Sequence, residues 1–188
     1  KVLFMRLFLS LLILIFSLQS LTKADDISEF EIEGMSIGDS LLDYFSEDQL
    51  DKAYPYKNKK YATISKALSN YEIYSGFQVH VRSDDKKYII ESIEGMLLYE
   101  NNIENCYKKQ NEITADLDKM FLNSKKNLME KPHSADPKSF VKAKEYTLKA
   151  GDFIRVVCVD WSKEIKFIDK LKVALVSKEL MNWINNKA

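Results

Sequence analysis

The stretch Ile103-Glu104-Asn105-Cys106-Tyr107-Lys108-Lys109-Gln110-Asn111-Glu112-Ile113-Thr114-Ala115-Asp116-Leu117-Asp118-Lys119-Met120-Phe121 decides the fold class. Ile103, Cys106, Tyr107, Gln110, Ile113, Leu117, Met120 and Phe121 recur at three- and four-residue steps, the spacing of one helix face. This predicts a long helix starting just after Asn102. Upstream the period is different. Phe77, Val79 and Val81 alternate with Gln78, His80 and Arg82, as in a strand buried on one side. Ser83-Asp84-Asp85-Lys86 then turns the chain into a second strand over residues 87–99, with Gly95 expected as a bulge, which makes an antiparallel hairpin.

Working outward, residues 61–65 read as a strand, and residues 123–139, with Pro132 and Pro137, read as a loop. Strands are expected at 140–148, 153–161 and 166–176, with Gly151-Asp152 as a turn, and a last helix from Lys178 carries Leu180, Met181 and Ile184. Near the N-terminus, Ser36 with Asp39 and Ser46 with Gln49 have the spacing of helix caps. They predict two short helices through Leu41, Leu42 and Phe45 and through Leu50 and Ala53, ended by Pro55. The fold class is therefore α+β, with an antiparallel sheet or sheets packed against a long helix. Helices then strands occur twice, from Ser36 to Tyr99 and from Asn102 to Val176, the order of a pseudo-duplicated fold.

Residues 1–24 have the layout of an export signal: Arg6, an apolar run over 7–18, then Thr22-Lys23-Ala24, with Ala24 the cleavage residue. The run is interrupted by Ser10 and Ser17 and followed by Asp25 and Asp26, which favours cleavage over a retained anchor. Residues 25–188 are then a single α+β domain, with no stable membrane insertion once the signal is removed. Of the 28 basic residues, Lys1, Arg6 and Lys23 lie in the signal, along with none of the 28 acidic ones, so the remainder has a net charge of −3. A nucleic-acid partner is excluded on that balance, because phosphate binding relies on a cationic excess.

Cys106 and Cys158 are the only cysteines. In an oxidising compartment such a pair is expected to form a disulfide. His80 and His133 are the only histidines, and neither has the company of acids or cysteines that a metal would need, so no metal and no cofactor is expected. Tyr54, Tyr56 and Tyr61, interleaved with Lys57, Lys59 and Lys60, form the candidate ligand surface.

Gly38-Asp39-Ser40-Leu41 resembles the signature of GDSL-type esterases and lipases, which implies Ser40 as a nucleophile. That chemistry needs a histidine held by an acid. The family places the two as Asp-x-x-His near the C-terminus, and no histidine follows His133. No catalytic residue is therefore assigned.

Phe30-Glu31-Ile32-Glu33-Gly34-Met35-Ser36-Ile37-Gly38-Asp39-Ser40-Leu41-Leu42-Asp43-Tyr44-Phe45-Ser46 resembles the opening of a family of small exported proteins of marine alphaproteobacteria of the Pelagibacter type. The likeness includes the two cysteines and Asp160-Trp161-Ser162, and it implies export without any assigned activity. Gly34-Met35-Ser36 followed by helices and then strands is similar, in architecture, to the helix-helix-sheet module of small outer-membrane assembly lipoproteins and of β-lactamase-inhibitor-like proteins. The resulting expectation is a periplasmic or secreted binding protein, not an enzyme, whose partner is a protein or envelope component. A secreted serine esterase using Ser40 and a periplasmic ligand carrier using the tyrosines are the alternatives.

Overall fold

A computed structural model describes residues 26–50, 53–57, 59–67, 73–100 and 102–187. Ala24 and the rest of the expected signal lie outside them.

Eight strands form one antiparallel sheet: β1 (Tyr54–Pro55), β2 (Tyr61–Ala67), β3 (Gly76–Arg82), β4 (Ser92–Tyr99), β5 (Lys125–His133), β6 (Asp136–Thr147), β7 (Phe153–Asp160) and β8 (Asp169–Val176). Their order across the sheet is β1-β2-β3-β4-β8-β7-β6-β5. Two four-stranded meanders thus meet where β4 pairs antiparallel with β8, Gly95 opposite Val173. Helix α1 (Ile103–Met120) connects the meanders, and α2 (Lys178–Lys187) follows the second. The α+β class is as expected, and helical segment then four strands does occur twice. The first segment is reduced to two 3-10 turns, Leu41–Asp43 and Glu47–Gln49. The cap expected at Ser46 is present, with Gln49 Oε1 accepting from the Ser46 amide; the first turn is capped not by Ser36 but by Ser40, whose hydroxyl accepts from the Leu42 amide, while Asp39 accepts from the Ser36 amide. What is missing is length, since Ser46 starts a new cap before the first turn can repay the cost of helix nucleation.

One face of the sheet lies under α1 and the N-terminal segment. Phe77, Val79, Ile93, Val156, Leu171 and Leu175 there meet Cys106, Ile113 and Leu117 of α1 and Phe30 and Met35 of the N-terminal segment. Each such fully buried side chain contributes roughly 1.5–3 kcal/mol. Gln110 interrupts the apolar stripe of α1 without leaving an unmet amide: its Nε2 donates to the Lys142 and Val156 carbonyls, both at 2.9 Å. Cys106 and Cys158 are bonded, with Cα atoms 6.0 Å apart, and tie α1 to β7. On the opposite face α2 covers only part of the sheet, packing Leu180 and Met181 with Tyr61, Ala174 and Val176. Among the described residues no helix is long and apolar enough to cross a membrane.

Three expectations are corrected. Residues 123–139 are not a loop but contain β5 and the start of β6. As the sheet edge, β5 is Lys-rich, mostly exposed and free to carry Pro132, so it lacks the alternation that marks inner strands. The second strand of the first hairpin begins at Ser92, not 87, because Asp85 accepts from the Lys87 and Ile89 amides and Tyr88 has a φ of 51°. The strand expected from 166 starts at Asp169, after Lys166 adopts a φ of 59°.

Gly95 is not a bulge; it sits in regular register between Phe77 and Val173. Its missing side chain makes room for Tyr74, whose ring atoms would lie 2.7 Å from a Cβ at that position. Gly95→Ala is expected to destabilise the protein by about 1–3 kcal/mol, the cost of overpacking a filled core. Urea unfolding checks this, and an unchanged midpoint would mean that the Tyr74 ring yields freely.

Candidate functional site

The part of the sheet that α2 leaves uncovered carries most of the unusual chemistry. Alternation along β3, β4 and β8 directs Phe77, Ile93 and Leu171 to α1, so His80, Glu94, Lys170 and Lys172 share the other face. A polar chain crosses this face. Tyr56 Oη and Thr63 Oγ1 lie 3.0 and 3.2 Å from His80 Nδ1. His80 Nε2 is 3.7 Å from Glu94 Oε1, and Lys172 Nζ donates to Glu94 Oε2 at 2.5 Å. Burial alone would raise the Glu94 pKa, but Lys172 and His80 outweigh it and hold the carboxyl well below the usual range.

Hydroxyl, imidazole and carboxylate in that order suggest a nucleophile with its base. Access argues against this use. His80 is 7% exposed, Tyr56 stacks on it, and Trp183 of α2 packs edge-on against Tyr56. Ser40 is elsewhere and engaged in structure: its hydroxyl donates to the Lys87 carbonyl at 2.6 Å while capping the turn at Leu42. Asp39 likewise accepts from the Ser36 amide and the Tyr44 hydroxyl.

Tyr54, Tyr56 and Tyr61 do not make the shared ligand surface expected of them. Tyr61 is wholly buried beneath Trp183, Tyr56 is half-buried against His80, and only Tyr54, 73% exposed, is open to solvent. The strand period explains it: Tyr61 falls on the side of β2 that α2 covers.

The open side chains gather instead around Trp161, just beyond β7. Its ring contacts His133 at 4.4 Å and Phe167 at 5.0 Å between centroids, and Lys170 Nζ stands 5.6 Å from it. His133 closes β5 instead of lying in a loop. On one side of Trp161 is a cleft of about 640 Å³ that includes Ile103, Asp160, Lys166, Phe167 and Ile168. Burial, with Asp169 and Glu104 nearby, raises the Asp160 pKa there. On the other side a 180 Å³ cavity opens onto the sheet, bounded by Val141, Arg155, Val157, Lys170 and Lys172 together with Glu94 and His133. Burial, then Lys172, lowers the Lys170 pKa; burial, then Lys172 and Lys170, lowers that of His133.

The connection holding these groups is anchored by its own polar contacts. Asp169 accepts from the Trp161 amide at 2.8 Å, the Ser162 amide donates to Ser139 Oγ at 2.8 Å, and the Ser162 hydroxyl donates to Asp136 at 2.6 Å. Among the described residues no three His, Cys, Asp or Glu side chains are grouped as a metal would require. Neither any family model, nor any curated protein, nor any solved structure matches this chain.

Proposed function

We propose that the protein is exported to the periplasm and works as a non-catalytic binding module, meeting a protein or envelope component through the rim at Trp161. The observation that carries this reading is the exposure of two adjoining large apolar residues, Phe167 at 62% and Ile168 at 40%, beside the 640 Å³ cleft. Apolar side chains exposed at the mouth of a cleft of this size are suited to docking a partner. The hydrogen bonds at Ser162 and Asp169 hold the loop in place before any partner arrives, so little ordering entropy opposes binding. Export is supported by the N-terminal signal pattern and by a disulfide that persists only in an oxidising compartment.

A photo-crosslinking amino acid at position 167, in cells that express the full chain, tests the reading. A crosslinked species is expected from 167, absent from the same label at Lys108 on the exposed side of α1 and lost when Ile168→Asp is added. Equal labelling from both positions would reject the Trp161 rim. An esterase activity that disappears in Ser40→Ala would reject the non-catalytic reading.

A further inference from the structure

We propose that the 180 Å³ cavity between Trp161, Lys170, Lys172 and Arg155 binds a small monocarboxylate with a short apolar body. The cavity shares Trp161 with the Phe167 surface but lies on the other side of that residue, and the argument for it does not use Phe167.

Charge bookkeeping selects the ligand's sign and valence. Lys172 is neutralised by Glu94, and Arg155 lies 3.1 Å from Glu145. Lys170 is half-buried and, among the described residues, makes no ion pair or hydrogen bond; its ammonium stands over the Trp161 ring, with Lys172 and Glu94 acting on it only from longer range. A buried ammonium in that state has lost water without gaining an anion. The site therefore carries one uncompensated positive charge, which a monoanion cancels and a dianion overshoots. Trp161 also borders the cavity, its ring forming one wall beside Lys170. Val141, Val157, Val159 and Ala174 supply the apolar wall. The volume equals about six waters, which a carboxylate with a short alkyl chain fills.

Calorimetric titration of the intact oxidised protein with hexanoate tests this, with hexylammonium, hexanamide and the dianion adipate as controls. Hexanoate is expected to bind and hexylammonium not to; hexanamide and adipate should be weaker. Lys170→Met should weaken hexanoate by at least about tenfold, the value of one charge-assisted hydrogen bond, while Lys108→Met leaves it unchanged. Removing a lone buried cation should not impair folding. Should Lys170→Met nevertheless misfold, Val141→Phe fills the cavity from its wall and should block hexanoate with every charge in place. Absence of binding at millimolar hexanoate, equal binding of hexylammonium, or full affinity in both variants would overturn the proposal. So would binding of an acidic peptide without hexanoate, because the carboxylate would then come from a partner protein. Loss of crosslinking at 167 with hexanoate binding intact would reject the partner surface and leave this site standing.

Discussion

Removal of both cysteines, as Cys106→Ala/Cys158→Ala, is expected to lower the stability of the folded protein by about 4 kcal/mol. The bond joins residues 52 apart, and the chain-entropy account of closing a loop of that size in the unfolded state leads to this magnitude. Both sulfurs lie in the main core, where α1 crosses β7, so the native state also loses packing. With a urea slope of about 2 kcal/mol per molar, the midpoint should fall by about 2 M. Reductant added to the parent should reproduce most of the shift. Denatured, unreduced parent protein should show no titratable thiol. A double variant whose midpoint stays within experimental error of the parent would sink the expectation. A chain kept under reducing conditions would lack this contribution.

Local period is what makes parts of this fold readable. The stripe from Ile103 to Phe121 and the alternation of Phe77, Val79 and Val81 identify α1 and β3 because each has one side in the core. β5 has no such side. Lys125, Asn127, Leu128 and Glu130 are all exposed, so nothing in their order distinguishes an edge strand from a loop. That there is one sheet instead of two rests on β4 pairing with β8, a contact between residues some eighty apart, and no short-range pattern encodes it.

The same limit governs the site. Two cysteines, the only ones in the chain, have one pairing to make, and it is made. Lys170 and Lys172 alternate with Leu171 and Val173 and so read as a solvated strand face. They become half-buried only because Trp161, brought in from the end of β7, and Glu94, from β4, arrive beside them. Tyr61 is the converse case: beside Lys59 and Lys60 it looks like surface, until α2 folds over it. Sequence identifies the groups that can carry charge, while tertiary closure decides which of them lose water.

Glu94 shows how much rests on that closure. Its side chain is 17% exposed and stands between Lys172 and His80. Glu94→Gln would leave Lys172 largely buried without its carboxylate, beside the half-buried Lys170, on which Glu94 also acts. Breaking a buried pair from one side typically costs about 3–5 kcal/mol, and that destabilisation is expected here. Removing both partners, as Glu94→Met/Lys172→Met, should recover most of it, because no orphaned charge remains and the methionines keep the volume. The pH dependence supplies an independent check. The folded-state pKa of Glu94 is depressed, so its contribution is fully present above the ordinary carboxylate range and is lost as pH falls toward the depressed value. Within that acid interval the unfolded chain binds the proton that the folded protein refuses. Asp118, held down to about 2 by hydrogen bonds from Lys144, Lys126 and Tyr146 that outweigh its burial, adds to the same acid slope. Urea midpoints measured between neutral pH and pH about 3 should therefore fall more steeply for the parent than for Glu94→Gln. The residual slope in the variant is the share of Asp118 and the other carboxylates. Parallel pH profiles, or a single variant as stable as the parent, would show that the Glu94–Lys172 pair contributes nothing beyond what water restores.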